Sequence, residues 1–409
     1  MREQCVIVGA GHGGSQAAAS LRQEGYQGRI VLLSDEHDVP YHKPPLSKGF
    51  LKSPSTPVLV LRPEDFYREN GVDIIFGATV AAIERSSATV HLAGGTRIPY
   101  TNLILATGSR PRIPELDGIA LEGVMSLRTL ADARRLNEAL ANAKSVAIIG
   151  AGYIGMELAH TLTGLGRTVT LLEAAPRILA RSVAPQMSAH VHARSVAAGI
   201  EIIMGAKVSS LKGSGGKVTH IRTDDSRTLA ADLVIIATGA VPNVELAAAA
   251  GLATDNGIVI DDHMRSSDPS ILAIGDCVSF HQRHAGLRLR LECVQNATDQ
   301  ARNAAKTLVG RPETYQELPW FWSDQGDMKL QSAGLAFNAD HLITTGSPPD
   351  NAFAIYHFRK GRLIAVDTLN RPGDHMMARR LIAAGKSPSH DDVLAGTQRL
   401  KELMLQAAS

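Results

Sequence analysis

Short apolar runs alternate with one longer amphipathic stretch in the first part of the chain. The run CVIV starts at Cys5, the turn GAGHGG follows, an alanine-rich segment continues, and a second apolar run, RIVLL, starts at Arg29 and ends shortly before Asp35. Apolar runs of this length, without polar alternation, are typical of strands that are buried on both faces. The pattern predicts a strand, a glycine turn, a helix and a second strand, which form one βαβ unit.

The same order of segments occurs a second time. SVAIIGAGYIGMELAHTLTGLGRTVTLLEAAP, from Ser145, again contains an apolar run, a glycine turn, a helical pattern, an apolar run and an acid. Two further similar segments, LILATGSRP from Leu103 and LVIIATGAVP from Leu233, each close the unit that precedes them. The repeat predicts the α/β class, with two Rossmann-like dinucleotide-binding domains.

The remaining pattern predicts how these domains are arranged along the chain. SILAIGDC, from Ser270, is an apolar run that ends in Gly-Asp, and a helical run follows from Asn296 to Val309. From Pro319 shorter alternating runs, NAFAIYHF and GRLIAVDTL, indicate antiparallel strands, with a helical tail after Asp391. We therefore expect a first domain of residues 1–110 and 241–318, a second of residues 111–240, and an α+β domain of residues 319–409.

Composition and charge exclude several classes of protein. Lys and Arg number 42 and Asp and Glu 40, too even a balance for nucleic-acid binding through bulk charge. The cysteines, Cys5, Cys277 and Cys293, are far apart, which excludes a local redox disulfide and a metal or iron–sulfur site built from cysteine alone. No apolar run is long enough for a membrane span and no leader pattern occurs, so we expect a cytoplasmic protein with no membrane partner and no bound metal.

The first glycine turn has the context of a dinucleotide fingerprint. Gly9, Gly11 and Gly14 follow a strand and open a helix, and Asp35 and Glu36 come at the end of the next strand. The first glycine permits the tight turn, and the second lets the backbone approach a pyrophosphate that binds at the helix N-terminus. The terminal acid can accept hydrogen bonds from ribose hydroxyls.

The second turn contains Gly150, Gly152 and Gly155, and its terminal acid is Glu173. A carboxylate at this position would repel the 2′-phosphate of NADPH, which favours NADH, although Arg177 is close in sequence. Two dinucleotide sites in one chain indicate a tightly held flavin nucleotide and an exchanging nicotinamide nucleotide, because hydride transfer needs a donor and an acceptor.

Several more specific segments identify a family. VPYHKPPLSKGFL, LRTLADARRL, GYIGMELA, AIGDC, LECVQNATDQA and PWFWSDQG resemble the flavin-dependent ferredoxin reductases of oxygenase systems, of the putidaredoxin reductase type, on the glutathione-reductase-like fold. The resemblance covers essentially the whole chain. It implies FAD in the first domain, NADH in the second, and a C-terminal domain that covers the flavin.

The resemblance also implies roles for residues of the FAD site. Gly13 and Asp35 are expected on the pyrophosphate and ribose side, Val80 near the adenine, and Arg128 along the chain toward the ring. Asp276 is expected to hydrogen-bond the ribityl hydroxyls.

Further residues are expected at the flavin ring. Val294 is expected at the pyrimidine end, where a helix N-terminus stabilises negative charge on the reduced ring. Lys48 would lie beside the flavin N5 atom, and Pro45 would form part of the wall of the pocket around the ring. No cysteine occurs near Lys48, whereas disulfide reductases of this fold have redox cysteines in this region, so the flavin itself is expected to deliver the electrons.

Two residues are expected to control hydride and electron transfer. Glu157 would meet the nicotinamide carboxamide near Lys48, although an acid in the first turn of a helix is also favoured by the helix dipole alone. Trp320 would cover the flavin edge and mark the route by which electrons leave. Phe321 and Trp322 beside it are equally consistent with filling a domain interface.

The segment from His281 to Arg311 is a candidate docking surface for an acidic partner. It contains six cations against two acids, namely Arg283, Arg288, Arg290, Arg302, Lys306, Arg311, Glu292 and Asp299. Such a patch would make association faster and sensitive to salt. An ordinary solvated face remains an alternative, because helical spacing places these charges on different sides.

We interpret the sequence as an FAD-dependent NADH:ferredoxin reductase. Its partner would be a small [2Fe–2S] ferredoxin that serves a terminal oxygenase such as a cytochrome P450. A rubredoxin-linked, nitrite-reductase-linked or quinone-linked NADH reductase of the same fold uses the same flavin chemistry and stays an alternative. A binding or signalling flavoprotein like the apoptosis-inducing factors would need a broad basic surface or a targeting leader, and the chain shows neither.

Overall fold

The structure is a computed structural model, and it describes residues 3–405. Within this range the helices are α1 His12–Gln23, α2 Gly49–Lys52, α3 Glu64–Glu69, α4 Leu130–Leu140, α5 Tyr153–Gly164, α6 Pro185–Ala197, α7 Glu245–Ala249, α8 Val294–Leu308, α9 Pro372–Ala383, α10 His390–Leu394 and α11 Thr397–Leu405. The strands of the first half are β1 Gln4–Val8, β2 Arg29–Leu33, β3 Val72–Ile75, β4 Val80–Glu84, β5 Thr89–Leu92, β6 Arg97–Pro99, β7 Asn102–Leu105, β8 Ser109–Pro111, β9 Val124–Ser126, β10 Ser145–Ile149, β11 Thr168–Glu173 and β12 Glu201–Met204. The remaining strands are β13 Val208–Ser214, β14 Lys217–Thr223, β15 Thr228–Ala230, β16 Leu233–Ile236, β17 Ala240–Pro242, β18 Ile258–Val259, β19 Ile271–Ala273, β20 Val278–Gln282, β21 Leu287–Leu289, β22 Trp320–Gln325, β23 Met328–Gly334, β24 His341–Ser347, β25 Ala352–Arg359 and β26 Arg362–Leu369.

The chain divides into two compact units. The first unit contains residues 3–42, 58–110 and 241–319, and the second contains residues 43–57, 111–240 and 320–405. The segment 43–57 carries the PPLSK motif, so this motif belongs to the same unit as the second glycine turn.

The first unit is built on a parallel sheet with the strand order β19, β7, β1, β2, β3. Its central strand β1 pairs in parallel with β2 and with β7, and Cys5 lies opposite Ile30 and Asn102. The four residues from Cys5 to Val8 are buried, as expected for a strand that is covered on both faces. The helices α1 and α8 pack against each other, and a Cβ atom at Gly13 would come within 3.6 Å of the Ala297 carbonyl oxygen.

The second unit repeats this arrangement and adds an antiparallel sheet. Its parallel sheet has the order β12, β11, β10, β16, β9. Apolar residues of this sheet, among them Ile149, Leu172 and Val234, form one core with Leu211 and Ile221 of the β13–β14 hairpin. This core holds the strand ends from which the second glycine turn starts.

The C-terminal part of the second unit is a five-stranded antiparallel sheet with the order β22, β23, β26, β25, β24. Strand β22 is an edge strand, and Trp320 pairs with Ala333 of β23. Successive side chains of a strand point to opposite faces, so Trp320 and Trp322 share one face and Ser323 lies on the other. Helix α9 packs against β23 and β26.

The structure contains the predicted elements, with one shifted helix start, and also elements that were not predicted. Helix α8 starts at Val294, two residues before the expected Asn296. Helices α3, α4, α6, α7 and α9, and the sheets β4–β6 and β13–β15, are elements for which the sequence analysis made no prediction. Across residues 3–405, none of the helices combines the length and the apolar character that a membrane crossing requires.

Candidate functional site

The first glycine turn has a backbone that only glycine can form. Gly9 has φ of +102°, in the region that favours glycine. A Cβ atom at Gly9 would overlap the Ala106 carbonyl oxygen, and one at Gly14 would overlap the Gly9 carbonyl oxygen. At Gly11, by contrast, a Cβ atom would have no atom within 4 Å, so this position faces open space at the start of α1.

The second glycine turn has the same geometry in the second unit. Gly150 has φ of +108°, and Cβ atoms at Gly150 and Gly155 would overlap the carbonyl oxygens of Ala237 and Gly150, respectively. Gly152 faces open space. Each turn therefore leaves a cradle beside its second glycine that a side chain would fill.

The amide groups at both helix starts have no side-chain cap. Gly11 and Gly152 are the N-cap residues of α1 and α5, and neither makes a side-chain cap hydrogen bond. Uncapped N–H groups at a helix N-terminus bind phosphate well, because the helix dipole favours negative charge there. Both cradles therefore fit the pyrophosphate of a dinucleotide.

The acids after the two turns differ in their surroundings. The Glu173 carboxylate accepts hydrogen bonds from the backbone N–H groups of Ala151 and Ala175, at 2.7 and 2.8 Å. The residue at the matching register position in the first unit is Ser34, because Leu33 and Leu172 pair with equivalent residues of β1 and β10. Asp35, the predicted ribose ligand, is one residue further and is exposed.

The Arg177 guanidinium is hydrogen-bonded to the backbone of its own loop. Its guanidinium donates hydrogen bonds to the carbonyl oxygens of Ala180 and Val183, at 2.6 and 3.0 Å. These two bonds direct the Arg177 guanidinium to its own loop, whereas the Glu173 carboxylate bonds to the Ala151 amide of the turn.

The second unit brings Lys48 and Glu157 together. The Lys48 Nζ atom lies 2.9 Å from Glu157 Oε1, and the side chains are 18% and 7% exposed. The sequence placed these two residues near each other only through the family resemblance. The structure adds two hydroxyl donors, because Ser47 Oγ lies 2.6 Å from Glu157 Oε2 and Ser323 Oγ lies 2.7 Å from Oε1.

Ser47 and Ser323 were missed by the sequence analysis. They lie within the PPLSK and WSDQ motifs, and this was the only signal that could have suggested them. Asp324 is a weaker partner, with its Oδ2 atom 3.9 Å from Lys48 Nζ and its side chain nearly half exposed. The result is a mostly buried ion pair in which the carboxylate has three donors.

The environment of Trp320 is aromatic and cationic. Its ring centroid lies 5.4 Å from that of Trp322 and 5.8 Å from that of His375. The Arg379 guanidinium lies over the Trp320 ring, 4.8 Å from the centroid, a favourable cation–π geometry. Burial and the nearby Arg379 cation lower the pKa of His375 to about 4, so His375 is neutral at pH 7.

The other predicted flavin ligands are divided between the two units. In the first unit Val80 is buried at the start of β4, Asp276 accepts a hydrogen bond from Ser109 Oγ at 3.1 Å, and Val294 is the first residue of α8. Arg128 belongs to the second unit, where its backbone N–H donates to Asp132 at 3.0 Å.

The basic segment of the first unit is largely neutralised by acids that lie elsewhere in the sequence. Five of its six cations are in ion pairs: Arg283 with Asp262, Arg290 with Glu292, Arg302 with Asp299, Lys306 with Glu313 and Arg311 with Glu24. Six cations against five carboxylates leave about one net charge, well below the expected excess. The expected strong local field was therefore an overestimate, because the sequence count omitted three acids outside the segment.

All three cysteines are free thiols. Cys5 and Cys277 are buried, and burial raises the pKa of both thiols. Burial also raises the pKa of Cys293 to about 12. Because the thiolate is the reactive form, none of them is suited to thiol–disulfide exchange.

Comparison with known proteins agrees with this geometry. Residues 3–301 match the family described as pyridine nucleotide-disulphide oxidoreductase, and residues 320–404 match the family described as reductase C-terminal. The chain is 41% identical to the rhodocoxin reductase of Rhodococcus erythropolis, over 92% of this chain and 89% of that protein. It is 40% identical to a rubredoxin-NAD(+) reductase of Pseudomonas putida, over 90% of this chain and 96% of that protein.

Two solved structures have nearly the same fold. The ferredoxin reductase for the CYP199A2 system from Rhodopseudomonas palustris superposes with a TM-score of 0.95 at 41% identity, and the alignment covers 98% of this chain and 99% of that one. The structure of the covalent putidaredoxin reductase–putidaredoxin complex gives a TM-score of 0.94 at 38% identity, with 98% of each chain covered. The chain is thus an NAD(P)H-dependent flavoprotein oxidoreductase, and it belongs to the pyridine nucleotide-disulphide oxidoreductase family, among the ferredoxin reductases of the rhodocoxin and putidaredoxin reductase type.

Proposed function

We propose that this protein is an NADH:ferredoxin reductase that supplies a small [2Fe–2S] ferredoxin, and through it an oxygenase such as a cytochrome P450. The observation that carries the proposal is the buried Lys48–Glu157 pair, which lies in the same unit as the second glycine turn. A charged pair of this kind, beside a dinucleotide cradle, suits the recognition of a polar nicotinamide group.

The first unit fits FAD. The cradle at Gly11 and the uncapped start of α1 would bind the pyrophosphate, and we propose Asp35, Asp276 and Val294 as further ligands. When bound, FAD supplies the conversion of a two-electron donor into single electrons. The contribution of the chain is to bind, orient and shield the two nucleotides.

The second unit fits NADH better than NADPH. Glu173 is held by two backbone amides, of which the Ala151 amide belongs to the turn, and its carboxylate would accept bonds from the ribose hydroxyls and repel a 2′-phosphate. The guanidinium of Arg177, the nearest candidate for a phosphate ligand, is bonded to carbonyl oxygens of its own loop.

Trp320 and the C-terminal residues are proposed to shape the exit for electrons. The neutral His375 and the Arg379 cation fix the ring on one face of β22. Since none of the thiols is activated, the proposal needs no cysteine in the electron path.

Two further expectations stay predictions. One is the cytoplasmic location, and the other is the division into domains of residues 1–110 with 241–318, 111–240 and 319–409.

The ferredoxin partner is supported by the relatives. One similar structure is a complex with putidaredoxin, and another is named for a CYP199A2 system. The rubredoxin-NAD(+) reductase of Pseudomonas putida is about equally similar in sequence, so a rubredoxin is the second candidate acceptor.

The test is an anaerobic titration of the holoenzyme with NADH, followed by a [2Fe–2S] ferredoxin or a rubredoxin. We expect fast loss of the flavin absorbance and fast reduction of the ferredoxin. Fast transfer to rubredoxin with little transfer to any ferredoxin would replace the proposed acceptor by the second candidate.

A further inference from the structure

The Glu157 carboxylate is enclosed by three donors from two distant segments of the second unit, PPLSK and WSDQ. Ser47 Oγ lies 2.6 Å from Oε2, while Ser323 Oγ and Lys48 Nζ lie 2.7 and 2.9 Å from Oε1. Ser47, Glu157 and Ser323 are 6%, 6% and 0% exposed. Both oxygens of a carboxylate with little access to water are therefore occupied.

We propose that Ser47 and Ser323 are positioning residues that hold the Glu157 carboxylate in one orientation for the nicotinamide. This inference rests on the proposed function, because it gives Glu157 a role in binding the reacting end of NADH. It goes beyond the Lys48–Glu157 pair by assigning the orientation of that pair to two hydroxyl groups.

The direction of the Ser323 hydroxyl is determined by its neighbours. The Gln325 Nε2 atom lies 3.2 Å from Ser323 Oγ, and this nitrogen can only donate a hydrogen bond. The hydroxyl hydrogen of Ser323 is then directed to Glu157, and a chain of donors runs from Gln325 through Ser323 to the carboxylate. Such chains polarise their members and strengthen each bond.

Ser47 is fixed to helix α5 by two bonds. Its hydroxyl donates to Glu157, and its carbonyl oxygen accepts a hydrogen bond from Thr161 Oγ1 at 2.9 Å. Thr161 lies one turn after Glu157 on the same face of the helix. The backbone of the PPLSK segment is therefore tied to the helix that carries Glu157, which limits the movement of Lys48.

A buried carboxylate needs hydrogen bonds to both of its oxygens. An ionised group away from water is costly unless it is paired and fully hydrogen-bonded. The lone ammonium of Lys48 satisfies one oxygen only, and without the hydroxyls the carboxylate would be free to rotate about its terminal bond. The two serines remove this freedom.

The experiment compares Ser323→Ala and Ser47→Ala holoenzymes with the wild type. We expect the rate of flavin reduction by NADH to fall about 10- to 100-fold, the range for losing one bond to a charged group. The dissociation constant for NAD⁺, from calorimetry, should change less than about threefold, because the adenosine half binds at the glycine turn. Ser47→Thr, which keeps a hydroxyl, should recover most of the rate.

The matched control is Ser188→Ala. Ser188 is 1% exposed in the same unit, and its hydroxyl donates to the Ile178 carbonyl oxygen at 2.7 Å, with no bond to Glu157. It should lower the unfolding temperature about as much as Ser323→Ala and leave the reduction rate unchanged. In a Glu157→Ala background, Ser323→Ala should add almost nothing to the loss of rate, because the partner is gone.

Two outcomes overturn the inference. One is a Ser323→Ala rate equal to that of Ser188→Ala, and the other is the same fold loss in the Glu157→Ala background as in the wild type. If NADH fails to reduce the flavin of the wild type at all, the proposed function fails instead, so the two failures are distinguishable.

Discussion

The two glycine turns are built on the same backbone, but the helices that follow them carry different charges. Counted from the first glycine, the position of Glu157 on α5 is the position of Gln16 on α1. Gln16 accepts a hydrogen bond from Arg62 at 2.8 Å and donates to Ser20 at 2.9 Å. The same site of the fold thus holds a neutral amide in the first unit and a carboxylate in the second.

This difference separates what the fold requires from what the chemistry requires. Both glycine patterns are imposed by overlap with nearby carbonyl oxygens, so they belong to the turn. The carboxylates Glu157 and Glu173 are absent from the matching positions of the first unit, which has Gln16 and Ser34. The turn itself therefore does not require these acids, which supports the proposed role of both in binding the nicotinamide nucleotide.

The largest expected effects are at the third glycines. Gly14→Ala and Gly155→Ala place a Cβ atom in overlap with a carbonyl oxygen, and we expect each to cost more than about 3 kcal/mol of stability. Gly11→Ala and Gly152→Ala face open space, so they should fold normally. They should weaken FAD retention and NADH binding, respectively, by at least about tenfold, because the methyl group fills the cradle.

Thermal unfolding, flavin content and NAD⁺ calorimetry separate these cases. A Gly155→Ala protein that unfolds at the wild-type temperature would contradict the view that the two turns have the same steric requirement. A loss of FAD in Gly152→Ala that exceeds the loss in Gly11→Ala would instead contradict the assignment of FAD to the first unit.

Glu157→Gln gives helix α5 of the second unit a glutamine, the residue type of Gln16 on α1 of the first unit. We expect NADH to reduce the flavin about 10- to 100-fold more slowly, because Lys48 loses its charged partner. Asp324→Asn is the control, since Asp324 is 3.9 Å from Lys48 and nearly half exposed, and its effect should be below about threefold. Stopped-flow absorbance measures both, and equal effects would show that the buried carboxylate has no special role.

Glu173→Ser gives the second unit a serine, the residue type of Ser34 at the matching register position of the first unit. The ratio of kcat/KM for NADPH to that for NADH should rise about tenfold, because a repulsive charge near the 2′-phosphate is removed. Asp35→Ser in the first unit should leave this ratio unchanged. An unchanged ratio in Glu173→Ser would remove the basis for the preference for NADH.

The smallest effect concerns acid stability. His160 of α5 matches Ala19 of α1, and its Nε2 atom lies 2.9 Å from Ser195 Oγ. Burial lowers the pKa of His160, with Asp327 opposing and Lys52 adding to this shift. The unfolded chain then binds a proton more readily than the folded one, so the free energy of unfolding decreases as the pH falls below about 6.5.

His160→Ala should reduce this pH dependence. Unfolding temperatures at pH 7 and pH 5 should differ less in the variant than in the wild type, by a few degrees at most. The same difference in both proteins would assign the acid sensitivity to other groups.

Local patterns predicted most of the fold, and long-range contacts explain the rest. The βαβ units were predictable because their strands, turns and helices are encoded within about 30 residues. Ser47 and Ser323 were not, because they are separated from Glu157 by 110 and 166 residues. The charge of the basic segment was overestimated for the same reason, since Arg311 pairs with Glu24 across 287 residues.

The most direct test of the account is the anaerobic reaction of the holoenzyme with NADH in the presence of a [2Fe–2S] ferredoxin, a rubredoxin or a quinone. The account predicts rapid loss of flavin absorbance with NADH, slower loss with NADPH, and fast reduction of the ferredoxin. Rapid flavin reduction with transfer only to the quinone would contradict it, because the acceptor would then belong to another class.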